Sequence, residues 1–336
     1  MQTLQISKGL FASLTFLFWI GVWAFGIGLI LVGGLRWWYG DHLFPVRLCN
    51  YLMPWLLIGT LGGIGASLLA GRHSLALLLV VPTLFIIVTY APLFLPGHER
   101  PQGGFKLKVM SYNVWRENSN IHAIAEVIGK QKPDLILLQE IHLDKLRELI
   151  AELDDLYLNE TYVAFEEPKL QAMISSFPLK QVDAGHEKGR AQKAIVSTSG
   201  GAITVLNVHP SRGRWQRRHK QMINLIADDI AGEDNPVILG GDFNTTDQSQ
   251  TYRLFDPILK NAHWQAGWGF GLTYPTPAVN FLRKFPLPSL VRIDHIFHSK
   301  HFLTQKASTL PDSGGSDHFP VIAELIFKSE RLGPEN

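Results

Sequence analysis

In the last two-thirds of a 336-residue sequence, apolar runs repeatedly end in side chains that a buried strand would normally avoid. Asn113 lies in Ser-Tyr-Asn-Val, Glu140 ends Leu-Leu-Gln-Glu, and His209 lies in Asn-Val-His-Pro. Asp242 and Asn244 lie in Gly-Gly-Asp-Phe-Asn, Asp294 in Arg-Ile-Asp-His, and Asp317 and His318 in Gly-Ser-Asp-His-Phe-Pro. Burying such groups costs free energy unless they are paired or used. Carboxylate oxygens suit a hard cation such as Mg²⁺, which takes one or two protein carboxylates and keeps several waters. An imidazole can move a proton or stabilise developing charge. These residue types together fit hydrolysis assisted by a divalent cation.

Each group needs an element to hold it. Lys106 to Val114 predicts a strand carrying Asn113, and Leu135 to Leu138 a buried strand before Glu140. Ile203 to Val208 leads to His209, and Val237 to Leu239 leads to Asp242. Ile293, Ile296 and Phe297 belong to a strand around Asp294, and Val321 to Phe327 closes the domain after His318. Between the strands, Ile121, Ile124, Ala125 and Ile128 recur at helical spacing behind an N-cap at Ser119 or Asn120. Residues 144–153 predict a second helix, and 215–231 a third with Met222, Ile223, Ile226 and Ile230 inward and Gly232 at its end. The alternation predicts an α/β fold with most strands covered. Strand ends in such sheets converge on one rim, so the polar groups can meet in one crevice.

In this order, Asn113, Glu140, His209, Asp242-Phe243-Asn244, Asp294 and Ser316-Asp317-His318 resemble the signature residues of the endonuclease/exonuclease/phosphatase superfamily, over about residues 106–327. That superfamily includes abasic-site endonucleases, secreted deoxyribonucleases, sphingomyelinases and inositol-polyphosphate 5-phosphatases. Gly-Asp-Phe-Asn alone is compatible with a turn; the whole ordered set is far more specific. The resemblance implies a two-sheet β-sandwich flanked by helices and a hydrolase of phosphate esters that uses Mg²⁺ (or Mn²⁺). It implies that Glu140 is the principal metal ligand with Asn113 beside it, and that Asp317 adds a metal contact or holds His318 in place. It pairs Asp294 with His318, the general base or transition-state stabiliser. It assigns Asp242 to orienting or deprotonating the attacking water, Asn244 to a phosphate oxygen and His209 to a non-bridging oxygen. His295 stands where that family often has Tyr, and is read as a packing residue.

Plainer roles compete with several of these. The plainer reading of Glu140 is an ordinary strand-end carboxylate, of Asn113 an amide satisfying nearby backbone, and of His209 an imidazole serving its own loop. The run Arg212, Arg214, Arg217, Arg218 and Lys220 is either a solvated helix start or a phosphate-binding edge, with Arg212 and Arg214 nearest His209. Cations at a helix N-terminus oppose its dipole, and a bound anion would relieve them. Trp264, Trp268, Phe270, Tyr274, Pro275, Phe281, Phe285, Leu287 and Leu290 make an apolar stretch that is either core cover or a substrate loop touching lipid.

The first third is different in kind. Residues 10–35, 51–71 and 74–96 are apolar runs, and about 20 such residues cross a hydrocarbon core as a helix. They predict about three transmembrane helices, with Trp37, Trp38 and Tyr39 as an interfacial belt and Pro82 and Pro92 tolerated. A cleaved signal peptide would account for the first run only. The sequence thus divides into a membrane region, 1–98, and a catalytic domain, 104–328, joined by the Pro/Gly-rich stretch 96–104. Three spans place the N-terminus and the catalytic domain on opposite sides of the bilayer. The expected location is a bacterial-type inner or plasma membrane; the Lys/Arg bias is too small to decide the side, and the expected side for the catalytic domain is extracytoplasmic.

Residues 101–336 carry 26 basic and 27 acidic side chains, a formal charge of 26 − 27 = −1, so bulk charge does not argue for nucleic-acid binding. The single cysteine, Cys49, excludes an intrachain disulfide and a cysteine zinc site. The expected function is a membrane-anchored phosphodiesterase or phosphatase, its partners a phosphate ester and the lipid bilayer, with no obligate protein partner. Lipid head group, inositol phosphate and nucleic acid all remain open as substrate. The alternatives are a nuclease of the same mechanism and a catalytically inactive membrane scaffold; the scaffold should have lost site residues, and the set is complete.

Overall fold

The three apolar runs form three helices in the computed structural model, which describes residues 2–95, 103–154, 161–182, 191–279 and 288–328. Helix α1 spans Gln2–Tyr39, α2 Phe44–Leu69 and α3 His73–Tyr90. The segments Leu10–His42, Phe44–Leu69 and His73–Phe94 are long and apolar enough to cross a membrane. Large apolar side chains such as Phe11, Leu17, Leu61 and Val88 are exposed, as a lipid-facing surface requires. Gly63 lets α2 and α3 approach, since a Cβ there would lie 2.8 Å from Leu79 Cδ1.

The bounds differ from the expected ones for physical reasons. The second helix starts at Phe44 rather than residue 51, because Pro45 suits its first turn and Arg47 turns back to donate to the Asp41 and His42 carbonyls at 2.8 and 3.2 Å. The third ends at Tyr90, short of Pro92, and Ala91–Phe94 continues as a 3₁₀ turn. The first extends four residues past Leu35, to Tyr39, with Trp37 and Trp38 exposed.

The chain divides into two compact units, residues 1–92 with 248–250, and 93–247 with 251–336. The second unit holds two six-stranded sheets. Its strands are β1 Phe105–Asn113, β2 Leu135–Gln139, β3 Tyr162–Glu166, β4 Gln171–Ser175, β5 Leu179–Val182 and β6 Ala191–Thr198. They continue as β7 Gly201–Val208, β8 Val237–Asp242, β9 Lys260–Asn261, β10 Asp294–His298, β11 Phe302–Thr309 and β12 Val321–Phe327. One sheet runs β11-β12-β1-β2-β4-β3 and the other β5-β6-β7-β8-β10-β9. Each has one parallel pair near its centre, β1 with β2 and β7 with β8.

Leu107, Val109, Leu135, Leu137, Val205, Ile238 and Ile296 fill the space between the sheets. Helices α4 Ile121–Gln131 and α5 Leu143–Asp154 cover one outer face, burying Ile124, Ile128, Leu146 and Leu149. Helix α6 Trp215–Leu225 covers the other with Met222 and Leu225. The result is the two-sheet sandwich flanked by helices. Asn120 is the N-cap of α4, accepting from the Ala123 amide at 3.1 Å.

Helix α6 corrects one expected residue: Ile223 is 45% exposed. The backbone leaves α-helical spacing after Leu225 for a π-turn over Ile226–Ile230, and Leu225 takes the inward place instead.

The site end of β8 depends on a residue without a side chain. Gly241 has φ +149°, and a Cβ there would lie 1.9 Å from the Val208 carbonyl oxygen in the parallel neighbour β7. Gly241→Ala is expected to destabilise the protein by about 3 kcal/mol or more, because backbone on both sides must shift. Thermal melting checks this, and a melting temperature within a degree of the wild type would contradict it.

Candidate active site

Antiparallel and parallel pairings bring the polar residues to one rim. In register, Asn113 pairs with Gln139, the residue before Glu140, and Asp242 pairs with Asp294 across β8 and β10. His209 follows β7, and Asp317 and His318 precede β12, which runs antiparallel to β1. Beneath the rim, Gln139 Nε2 donates to Asn207 Oδ1 at 2.7 Å, and Asn207 Nδ2 donates to the Leu138 and Ala172 carbonyls. These buried bonds fix one sheet against the other directly under Glu140 and His209.

His318 is wholly buried, and its Nδ1 lies 2.8 Å from Asp294 Oδ2. Its Nε2 is 3.8 Å from Asp242 Oδ2 and 3.9 Å from Asp317 Oδ1. The Ser316 hydroxyl donates to the Asn113 carbonyl at 2.6 Å and accepts from the His318 amide at 3.1 Å, which locks this turn onto β1. The Tyr274 ring packs 4.8 Å from the imidazole. Burial alone would lower the His318 pKa, but Asp294 and Asp242 raise it to about 9. Burial raises the Asp294 carboxyl despite its partner.

Asp242 is held below the usual carboxylate range: burial opposes this, but His318, His209 and Arg212 outweigh it. Its Oδ1 accepts from the Asn244 amide at 2.8 Å, and its Oδ2 accepts from Asn113 Nδ2 at 3.1 Å. Asn244 has φ +50° and Glu140 φ +59°, a left-handed conformation that costs a non-glycine residue on the order of 1 kcal/mol or more. Such strain is concentrated where side chains must be aimed.

Glu140 is 3% exposed. Its Oε1 lies 3.2 Å from Arg212 Nη2, 3.4 Å from Asn113 Nδ2 and 3.6 Å from His209 Nε2. Its Oε2 lies 3.4 Å from Arg116 Nε. Burial would raise the Glu140 carboxyl, but Arg212 and His209 hold it below its ordinary value. Asp317 is the reverse case, pushed up to about 6 by burial despite His318 and Arg212, and its Oδ1 is buried with no hydrogen-bond partner among the described residues.

All the expected site residues except Arg214 therefore meet in one cleft. Arg212 reaches into it, whereas Arg214 is exposed at the N-cap of α6 and makes no ion pair among the described residues. Arg218, in the run read as either a solvated helix start or a phosphate-binding edge, is buried. Asn113 presents its amide nitrogen to the carboxylates, and its Oδ1 accepts from the Trp115 amide at 3.0 Å. Asn244 Nδ2 donates to the Pro210 carbonyl at 3.2 Å. His295 packs against Phe243, Tyr252 and Phe297. Arg116 was not foreseen, because it interrupts no apolar strand, and Tyr274 was noted only as part of an apolar stretch read as core cover or a substrate loop. Of the apolar stretch, Trp264 donates to Asp247 at 3.2 Å and Trp268 is 68% exposed; Phe281, Phe285 and Leu287 lie outside the described residues, as does most of 96–104.

A divalent cation fits this donor set. Glu140 and Asp317 offer hard oxygens, one of them unpartnered, and a guanidinium already stands between them. Asp242, Asp294 and His318 also have donor atoms within 4.8 Å of one another. There, however, Asp294 and His318 are engaged with each other, and an imidazole suits Mg²⁺ less well than oxygen does. In that trio the Asp294 and His318 donor atoms are thus committed to each other rather than to an ion.

The sequence matches the Endonuclease/Exonuclease/phosphatase family over residues 110–318. No curated protein matches it significantly. Solved structures of similar fold include an endonuclease/exonuclease/phosphatase from Bacteroides vulgatus, at 18% identity and TM-score 0.53, covering 66% of this chain and 99% of that one. A mannosyl-6-phosphatase from Bacteroides thetaiotaomicron is 19% identical with TM-score 0.52, covering 66% of this chain and 100% of that one. D. rerio TDP2 complexed with a single-strand DNA product is 16% identical with TM-score 0.52, covering 66% of this chain and 98% of that one. At these identities the likeness is one of fold. The family match spans more than half of the sequence and both halves of the cleft, so the chain belongs to the endonuclease/exonuclease/phosphatase family, whose members are hydrolases of phosphate esters.

Proposed function

We propose that this protein is a membrane-anchored, Mg²⁺- or Mn²⁺-dependent hydrolase that cleaves a phosphate ester in a lipid head group. The observation that carries the hydrolase is the His318 imidazole, fixed by Asp294 on one nitrogen and aimed at Asp242 with the other. Glu140 and Asp317 would hold the cation, and Asn113 keeps the Glu140 and Asp242 carboxylates together. When bound, the cation supplies Lewis-acid stabilisation of charge on the phosphoryl oxygens.

The chain's own groups do the rest. Asp242, kept ionised, orients the attacking water and accepts its proton as the new P–O bond forms; the ester P–O bond opposite it breaks, and the departing alkoxide takes up a proton from solvent water. His318, kept protonated by its two carboxylates, stabilises the charge that gathers on the phosphoryl group. His209 and Asn244 line the same cleft as hydrogen-bond donors to the non-bridging oxygens, and Arg212 adds a charge-assisted donor. Asp294 keeps the imidazole oriented without taking part in proton transfer to the substrate.

The head-group assignment is supported by three apolar helices on a domain of near-neutral charge. Tethering raises the effective concentration of enzyme at a lipid surface. In orientation, the catalytic domain lies outside the cytoplasm of a bacterial-type membrane. A nuclease is the second reading, favoured by the basic run from Arg212 to Lys220 and by the fold likeness to a TDP2 that holds a DNA product. Purified full-length protein is to be tested on phospholipids, inositol phosphates, a sugar phosphate and single- and double-stranded DNA, each with and without EDTA. EDTA-sensitive release of phosphate or of a phosphorylated head group from phospholipid is expected. Turnover confined to DNA, with binding that weakens steeply in salt, would favour the nuclease. Turnover of none of them would end the enzymatic reading.

A further inference from the structure

A mobile cation already stands in the cleft, and it belongs to the chain itself. Arg212 Nη2 lies 3.2 Å from Glu140 Oε1, 4.0 Å from Asp317 Oδ2 and 3.4 Å from His318 Nε2. Its guanidinium carbon sits 5.9 Å from the Tyr274 ring centroid. It thus stands against the same two carboxylates that best suit a divalent cation. It is also built differently from its neighbours. Glu140 and Asp317 are fixed and almost inaccessible, with side chains 3% and 6% exposed, whereas the Arg212 side chain is 47% exposed. Arg212 lies in a bend between β7 and α6, followed by Gly213, around which there is open space. A side chain on such a bend can change place without disturbing either element.

Two cations cannot share these oxygens. Repulsion between unit charges about 4 Å apart near a protein surface amounts to several kcal/mol before screening. We propose that Arg212 is the cleft's resident counter-cation: it neutralises Glu140 and Asp317 until a divalent metal takes those carboxylates, and the metal's arrival turns the guanidinium toward the phosphoryl oxygens of the substrate. Metal loading and phosphate recognition are then coupled through one side chain. Without metal, Arg212 is engaged by the enzyme's own acids and offers little to a phosphate. With metal, it becomes a forked donor suited to two phosphate oxygens. The coupling is reciprocal, so a phosphate that captures Arg212 also strengthens metal binding.

This rests on the metal-dependent function proposed above, and its test separates the two. Mn²⁺ binding to the full-length protein in detergent is measured by calorimetry for wild type, Arg212→Ala, Arg212→Lys and Glu140→Gln, with no substrate present. Removing the competing cation is expected to tighten Mn²⁺ binding of Arg212→Ala by about tenfold or more, while Arg212→Lys, which keeps the charge, stays near wild type. Inorganic phosphate, titrated into the Mn²⁺-loaded proteins, is expected to bind Arg212→Ala about tenfold more weakly than wild type. Mn²⁺ affinity of Arg212→Ala equal to or weaker than wild type, while Glu140→Gln loses Mn²⁺, overturns this inference and leaves the metal site standing. If Glu140→Gln binds Mn²⁺ as tightly as wild type, the metal site itself fails and the inference with it. Melting curves confirm that the variants fold, which the surface position of Arg212 favours.

Discussion

His318→Ala is expected to lower kcat for phosphate-ester hydrolysis by about 10³-fold. The size follows from what the side chain does. It is wholly buried, hydrogen-bonded to Asp294 at 2.8 Å, and its free nitrogen lies 3.8 Å from Asp242. Among the described residues no other imidazole is both buried and hydrogen-bonded to a carboxylate in this way: His209 Nε2 faces Glu140 and Asp242 at 3.6 Å each, and His295 is packed among aromatic rings. Alanine also leaves Asp294 buried without its partner, so a loss of activity alone could reflect misfolding. Asp294→Asn is the cleaner companion, because it keeps the shape of the pair and changes only its charge. It is expected to lower kcat by on the order of 10²-fold or more, with KM and melting temperature little changed, since it disturbs the orientation and charge of the imidazole rather than substrate binding. Steady-state kinetics beside thermal melting checks both variants. Full activity of His318→Ala would remove His318 from the chemistry, and full activity of Asp294→Asn would remove the need for its charged partner.

Glu140→Gln is expected to have an effect of comparable size by a different route. The substitution preserves volume at a site 3% exposed and with φ +59°, so the backbone should hold. It removes the negative charge that Arg212, Arg116 and His209 surround. Metal affinity is expected to fall by on the order of 10²-fold, with activity lost at low Mg²⁺ and partly regained at high Mg²⁺. In the wild type, EDTA should abolish turnover, and Mg²⁺ or Mn²⁺ should restore it. The contrast with His318→Ala is diagnostic, because no amount of metal should rescue that variant. Activity of Glu140→Gln titrated against Mg²⁺ checks this; a wild-type metal dependence would rule Glu140 out as a ligand.

Much of this was legible in the sequence, and the pattern of what was not has a physical cause. Helices α4 and α5 carry a clean 3.6-residue apolar stripe, and an asparagine cap marks the start of α4, so their bounds fall within a residue or so of expectation. Buried strands such as β2 and β12 read as unbroken apolar runs. Strands β5 and β6 did not stand out, because Leu-Lys-Gln-Val is half exposed and β6 carries Gln192 and Lys193 among its apolar residues. Strand β4 is buried throughout but opens on a polar residue, Gln171, whose amide donates to the Asn207 carbonyl of the other sheet.

The cleft follows the same logic. A carboxylate or imidazole that interrupts a buried strand is conspicuous, and this marked Asn113, Glu140, His209, Asp242, Asp294 and His318. Arg116 and Tyr274 sit in loops, where charged and aromatic residues are ordinary, and only the folded structure brings them to Glu140 and His318. Gln139 and Asn207 are polar residues within apolar strands and were visible in that sense. Their bond depends on how two sheets face each other, which periodicity along one strand does not encode. Arg212 and Arg214 look equivalent in the sequence; a bend at 212–213 turns one into the cleft and leaves the other at the start of a helix.

The claim beneath all of this is that scattered side chains act together around a hard cation. Crystals of the full-length protein grown with Mn²⁺, with diffraction collected near the manganese absorption edge, address it most directly. An anomalous peak is expected within bonding distance of a Glu140 carboxylate oxygen, with the Arg212 guanidinium displaced from that carboxylate. Anomalous signal elsewhere on the protein, or none at millimolar Mn²⁺ with Arg212 still seated against Glu140, would contradict it.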